Sequence, residues 1–385
     1  MEQFFMKGAD VSIIKEVEAF GGVFYLDGQE KDLFEILSVK GINTIRLRLW
    51  VDPYDDDKQP YLGGTNDLQT TIELAKRAKQ YGLKFMLDFH YSDFWADPKK
   101  QSKPKAWQSL SGKQLEDQVY NYTKETLEVF KDQHIVPEFV QIGNEITNGM
   151  LWPEGKTQKY LFEERKFEDM DPQEKKEGYD RLAGLIKAGV RSTRETLPET
   201  AGQVILHLDF GGANDLYRGW FDEITAREVD YDIIGLSYYP FWHGTLEDLR
   251  SNMEDISARY NKDVLVVETS YGFTGEVPPG GAAIFSAELA EIGGYPPSVE
   301  GQAAFLRDLM ATVKRVPEGR GLGIVYWEPA WLPVNGTSWA SYAGMKYGND
   351  MGEMGNHWSN QAMFDFDGNA LDSLNVFKAG PTIEE

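Results

Sequence analysis

The chain has 385 residues, ample for one large core, and no cysteine, which excludes disulfides, thiolate metal sites and a cysteine nucleophile. With 62 acidic against 39 basic residues its formal net charge is -23, a balance that repels nucleic acid and disfavours an anionic polymer as substrate. No window of about 18 apolar residues occurs, so a membrane-spanning helix is excluded.

Met1–Met6 is too short for the apolar segment of a secretory signal, so the chain is read either as cytosolic or as a mature sequence whose signal has been removed. The elements then alternate. A strand is predicted at Phe5–Val11 and a helix at Lys31–Lys40, followed by strand Thr44–Leu49 and helix Leu68–Tyr81. Strand Lys84–Phe89 precedes helix Gly112–Gln133, and strand Phe139–Gly143 precedes helix Lys175–Thr196. Strand Val204–Leu208 leads to helix Asp215–Ile224, and strand Ile233–Leu236 to helix Leu246–Tyr260. Strand Val264–Val267, helix Val299–Arg315 and strand Gly323–Tyr326 complete the series. Lys40-Gly41-Ile42-Asn43 and Tyr81-Gly82-Leu83-Lys84 are similar turns, each with a glycine closing a helix before a strand.

Strands alternating with helices imply a parallel α/β sheet, and eight of them favour a closed (β/α)8 TIM barrel. No composition break marks a second domain. Residues 1–380 are taken as one catalytic barrel and 381–385 as a tail. The segments following strands are long and aromatic, which places the site on long βα loops at the C-terminal face. Pro329–Asp367 is the longest of these, an ordered loop by its composition. Trp95, Trp107, Trp152, Trp242, Trp331, Trp339 and Trp358 fall in such segments, where exposed rings suit sugar faces and buried ones pack the loops down.

Two glutamates end strands at that face. In Gln141-Ile142-Gly143-Asn144-Glu145, Glu145 is placed to protonate a glycosidic oxygen, with the Asn144 amide on a sugar hydroxyl. In Val264-Leu265-Val266-Val267-Glu268, a carboxylate closing an apolar strand is costly unless paired or functional. The plainer reading of each is a capped or salt-bridged strand end. By this count they lie on the fourth and seventh strands, across the mouth, where glycoside hydrolysis needs one protonated and one ionised carboxyl. Arg46 and Arg48 share a face of the second strand, and a buried arginine there is expected to keep Glu268 ionised and lower its pKa. Asp88 and His90 follow the third strand, and His207 and Asp209 end the fifth. Tyr239 is placed to hydrogen-bond Glu268, Trp327 to floor the sugar being cleaved, and Glu328 to serve structure or contact a substrate hydroxyl.

These motifs resemble clan A of the glycoside hydrolases and, more closely, glycoside hydrolase family 53, the endo-β-1,4-galactanases. The likeness is carried by Phe5–Ser12, Arg46–Pro53, Asp88–Pro98, Gln141–Pro153 and Val266–Tyr271, segments spread over the chain to about Asp367. It implies a retaining double displacement with Glu145 as acid/base and Glu268 as nucleophile. Arg46, Asp88, His90, Trp95, Asn144, His207, Asp209, Tyr239 and Trp327 then contact substrate or support the pair. It also implies a neutral extracellular substrate, the β-1,4-galactan of pectin or type I arabinogalactan, and hence export. Some bacterial members carry calcium in the loop after the nucleophile. Here Gly272–Ala282 has one acid, so that site is not expected, and no cofactor motif is present. Asp350, Glu353, Asp365 and Asp367 remain as other oxygen ligands, without EF-hand spacing. A monomer is the default. A mannanase or glucanase of the same clan, or a non-catalytic sugar-binding barrel, are the alternatives.

Overall fold

The computed structural model describes residues 4–157, 171–278 and 281–381. Eight parallel strands close into a barrel. They are β1 (Met6–Asp10), β2 (Thr44–Leu49), β3 (Lys84–Phe89), β4 (Phe139–Ile142), β5 (Gln203–Leu208), β6 (Ile233–Ser237), β7 (Asp263–Thr269) and β8 (Gly321–Trp327). Closure pairs β1 with β8, Gly8 opposite Val325, and β1 with β2, Asp10 opposite Arg46. The predicted strands agree with these to within two residues at either end.

Helices α1 (Leu33–Val39), α2 (Leu68–Gln80), α3 (Gly112–Asp132), α4 (Pro172–Thr196), α5 (Asn214–Thr225), α6 (Leu246–Tyr260), α7 (Val299–Lys314) and α8 (Asn375–Ala379) accompany the strands. Asp32, Asp67 and Thr245 cap α1, α2 and α6, each side chain accepting a first-turn N–H. The two turns noted in the sequence are the same structure twice. Ile42 N returns to Leu37 O at 3.0 Å and Leu83 N to Ala78 O at 3.1 Å, with Gly41 and Gly82 at φ 96° and 71°. Short helices at Ile14–Ala19, Ala287–Gly293 and Tyr342–Gly348 escaped the sequence pattern, being too short to display a period. The last lies inside the long segment read as a loop.

Side-chain alternation along the strands positions the site. One set points into the barrel and forms an apolar plug: Met6, Met86, Phe139, Ile205, Ile233, Leu265, Val267 and Val325. The opposite set, including Ile45, Leu47, Leu87, Val140, Leu206 and Leu236, packs in the continuous core that includes the helices. Burying each such aliphatic chain contributes about 1.5–3 kcal/mol. Toward the carboxyl ends the inward set turns polar, with Asp10, Arg46, Arg48, Asp88, Gln141, His207 and Ser237 all buried. These follow Met6, Thr44, Met86, Phe139, Ile205 and Ile233 at even spacing, so one parity runs from plug to mouth.

Candidate active site

Glu268 departs from that parity. Continuing from Leu265 and Val267, alternation would aim Thr269 inward and Glu268 outward. The register slips on both sides of β7, so that Ser237 pairs with Glu268 across from β6, and the pairing to β8 shifts between Val266 and Thr269. An irregularity of this kind re-aims a side chain, here into the mouth.

Glu268 Oε1 accepts from Arg46 Nη1 at 2.9 Å and Oε2 from the Tyr239 hydroxyl at 3.3 Å. The same guanidinium reaches Asp10 Oδ2 and Asp88 Oδ2, both at 2.9 Å, and Asn144 Oδ1 at 2.9 Å. Burial opposes the charge on Arg46, but Asp88, Glu268 and Asp10 outweigh it and raise its pKa. The expectation that Arg46 would leave Glu268 with a lowered pKa needs correcting. Burial raises it, Arg46 pulls it back, Asp10 and Asp88 push it up again, and the outcome is about 7. A cation neutralising three buried carboxylates cannot give all its field to one.

Glu145 follows β4 with left-handed backbone, φ 48° and ψ 52°. Tyr91, Phe210 and Glu328 adopt the same region just past β3, β5 and β8, at φ 50°, 52° and 52°. Non-glycine residues seldom sit there, and such strain gathers at functional sites. The Glu145 carboxyl accepts from the Ser237 hydroxyl at 2.7 Å, and its backbone N–H points at His207 Nδ1, 3.3 Å away. Its pKa is raised well above the usual carboxyl range by burial, then by Glu268, Asp209 and Asp97. The two glutamates therefore differ in surroundings: carboxyls oppose the charge on Glu145, while Arg46 and Tyr239 hold Glu268.

The remaining candidates surround this pair. Asp88 Oδ1 accepts from Gln141 Nε2 at 2.7 Å. His90 lies 3.1 Å from Asp88 through Nε2, while Nδ1 receives Trp50 Nε1 at 3.1 Å and Ala96 N at 3.3 Å, so both ring nitrogens face protein partners. Asn144 Nδ2 donates to Ala96 O at 2.8 Å, which takes one of its two N–H groups. Asp209 is buried against the Thr147 hydroxyl, and burial raises its pKa to about 7. Trp327 is half-buried, 4.8 Å edge-on to Trp358 and 6.1 Å from Trp95, with Arg48 4.4 Å over the Trp95 ring. Glu328 is fully buried on Arg48 Nη1 at 2.5 Å and Ile13 N at 3.2 Å, a structural pairing.

Asp10, Gln141, Thr147 and Ser237 join the site without having been singled out. The signal for Asp10, Gln141 and Ser237 was parity, a polar residue at an inward position of an apolar strand. Among the loop tryptophans, Trp107 is a packing residue, 3% exposed and edge-on to Tyr122 at 5.3 Å, and Trp331 is buried at 3%. Trp242 stays open at 44%.

The loop after β7 offers one exposed acid among its described residues. Glu276 is exposed, and the loop is held by Phe273 on Phe366, Phe285 on Tyr271 and Asn360 Nδ2 donating to Phe285 O. Asp365 instead accepts backbone N–H groups of Asp367 and Asn369, and Asp350 pairs with Lys100 at 3.2 Å. Among the described residues no three His, Asp or Glu side chains converge as metal ligands.

Comparison with known proteins agrees with this architecture. The profile of glycosyl hydrolase family 53 matches residues 6–377. An endo-beta-1,4-galactanase of Bacillus subtilis is 38% identical over 397 residues, covering 98% of this chain and 86% of that protein. An arabinogalactan endo-beta-1,4-galactanase A of Aspergillus niger is 35% identical, covering 85% of each. The GH53 catalytic domain of Ignisphaera aggregans superposes with a TM-score of 0.86 at 39% identity, covering 98% of this chain and 96% of that one. The chain belongs to glycosyl hydrolase family 53.

Proposed function

We propose that this enzyme hydrolyses internal β-1,4-galactosidic bonds of galactan, as in pectin side chains and type I arabinogalactan, with retention of configuration. The observation that carries the reading is the unequal pair. Glu268 rests on a guanidinium and a phenol, and Glu145 sits beside Ser237 among carboxyls that oppose its ionisation.

In the first step Glu145 transfers its proton to the glycosidic oxygen as the anomeric C–O bond breaks. The Glu268 carboxylate bonds to the anomeric carbon, giving a galactosyl ester and a free leaving-group sugar. Water then enters, Glu145 takes its proton, and the oxygen attacks the anomeric carbon. The ester bond breaks, Glu268 regains its charge, and Glu145 is reset. Protons and carboxylates supply all of this chemistry, so no cofactor is called for. Asp88, His90, Asn144, His207 and Asp209 hold the pair and the sugar hydroxyls, while Trp327 and Trp95 take the apolar sugar face. The galactose preference is supported by the activities for which the Bacillus and Aspergillus relatives are named. A polymeric substrate that cannot enter a cell supports secretion. The barrel of residues 1–380 acts as one monomeric unit; of the tail, 382–385 lie outside the described residues.

The test is turnover of galactan by Glu145→Gln and Glu268→Gln, each expected to lose at least about 100-fold. Proton NMR of the first products should show the β-anomer. Wild-type-like turnover in either variant, or an α-anomer appearing first, rejects the assignment. Faster hydrolysis of mannan or glucan than of galactan rejects the substrate.

A further inference from the structure

Resting on the reading of Glu145 as acid/base, we propose that Ser237 is a positioning residue for it. Its hydroxyl, aimed by His207, holds the Glu145 carboxyl at the cleft and supplies the hydrogen bond that carboxylate needs when it acts as general base.

Ser237 continues the inward parity of Ile233 at the end of β6, at the register slip that pairs it with Glu268. It is fully buried, and its carbonyl accepts from Gly211 N at 2.9 Å, so the backbone presenting the hydroxyl is fixed. The direction of the hydrogen bonds can be read outward from His207. Its Nδ1 faces the backbone N–H of Glu145 at 3.3 Å, a donor that cannot reverse. Asn144 Oδ1 also lies 3.1 Å from Nδ1 but already receives Arg46 Nη2 at 2.9 Å and Gln141 Nε2 at 3.2 Å, and Gln141 Nε2 is a second donor 3.1 Å from Nδ1. Nδ1 is therefore the acceptor, and the ring proton sits on Nε2. Nε2 lies 2.8 Å from Ser237 Oγ and donates to it. The serine proton is then directed at Glu145 Oε1, 2.7 Å away. Burial and the nearby Arg46 depress the His207 pKa, so the imidazole stays neutral and the chain keeps this polarity.

Among the described residues, Ser237 is the side chain that donates to the Glu145 carboxyl. The titratable groups that face it are Glu268 on β7, Asp209 at the end of β5, Asp97 after β3, and the phenols of Tyr239 and Tyr217. The carboxylates oppose its charge, and Ser237 is the side chain that favours it. The need is greatest after the leaving group has taken the proton, when Glu145 must wait as a carboxylate for water.

The experiment measures the pH dependence of kcat/KM on galactan and kcat on dinitrophenyl β-galactobioside, whose departure needs no acid. Ser237→Ala should move the alkaline limb of the profile up by about one unit and leave the acid limb, set by Glu268, in place. It should slow the dinitrophenyl substrate about 10-fold or more, the scale of a lost hydrogen bond to a charged group. Ser237→Thr, which keeps the hydroxyl, should restore both. An unmoved alkaline limb, or both limbs moving together, overturns the proposal. Should the alanine variant not fold, Ser237→Cys, with its weaker donor, must shift the same limb in the same direction. Failure of the underlying reading looks different: Glu145→Gln would then turn over galactan normally and gain nothing from added azide, whatever Ser237 does.

Discussion

Arg46→Met tests the electrostatics of the site most directly. Methionine fills much of the same volume without charge, and it strips Glu268, Asp10 and Asp88 of their common counter-ion. A guanidinium and a carboxylate in contact have charge centres about 4 Å apart, worth about 4 kcal/mol at an effective dielectric of about 20. That is about 3 pKa units at Glu268. The wild-type carboxyl already lies at about 7. At pH 6 the ionised fraction of the nucleophile, and kcat/KM with it, should fall about 1,000-fold, and the acid limb should climb until the profile collapses. Breaking a buried ion network also costs about 3–5 kcal/mol of stability, which a domain with about 5–15 kcal/mol can survive. The assay is kcat/KM against pH, with thermal unfolding to show that the variant is folded. Arg46→Lys, run in parallel, keeps the charge and should move the acid limb by less than about one unit. A folded Arg46→Met enzyme whose acid limb stays at the wild-type position refutes the argument.

Three further outcomes are expected. Tyr239→Phe removes one long bond to Glu268 Oε2, 3.3 Å, so kcat/KM should drop about 10-fold, the lower end for a charged partner; an unchanged value means the phenol does not hold the nucleophile. Stability should fall as pH rises from about 4 to about 8. Glu16, Asp209 and Glu268 have folded-state pKa values raised to about 7 and Glu328 to about 8, so the native state binds more protons than the unfolded chain across that window. A melting temperature higher at pH 8 than at pH 5 contradicts the sign. Trp220→Ala on α5, fully buried against Phe221 and Tyr179, should cost about 3–5 kcal/mol in denaturant titration and leave kcat unchanged.

Much of the fold was legible because it is locally encoded. The apolar run Phe85–Leu87 and the 3.6-residue period of Leu68–Gln80 appear without reference to the rest of the chain. Gly41 and Gly82 end their helices by a turn that a single residue specifies. The glutamates were legible because a carboxyl closing an apolar strand is conspicuous. Which loop tryptophans pack, as Trp107 does, and which stay open, as Trp242 does, was not legible, because a loop position in sequence does not say which loops fold down onto the barrel.

The sequence by itself determined the alternation of strands with long helices, the eight barrel strands, and the two strand-end carboxylates. It could not say which groups those carboxylates would meet. Arg46 and Glu268 stand 222 positions apart and become 2.9 Å neighbours only when the barrel closes. Which way Glu268 points depends on a slip in pairing between strands, and its pKa on how three acids share one buried cation. Those are properties of distances between remote segments, and Coulomb energy and desolvation depend on such distances rather than on order along the chain.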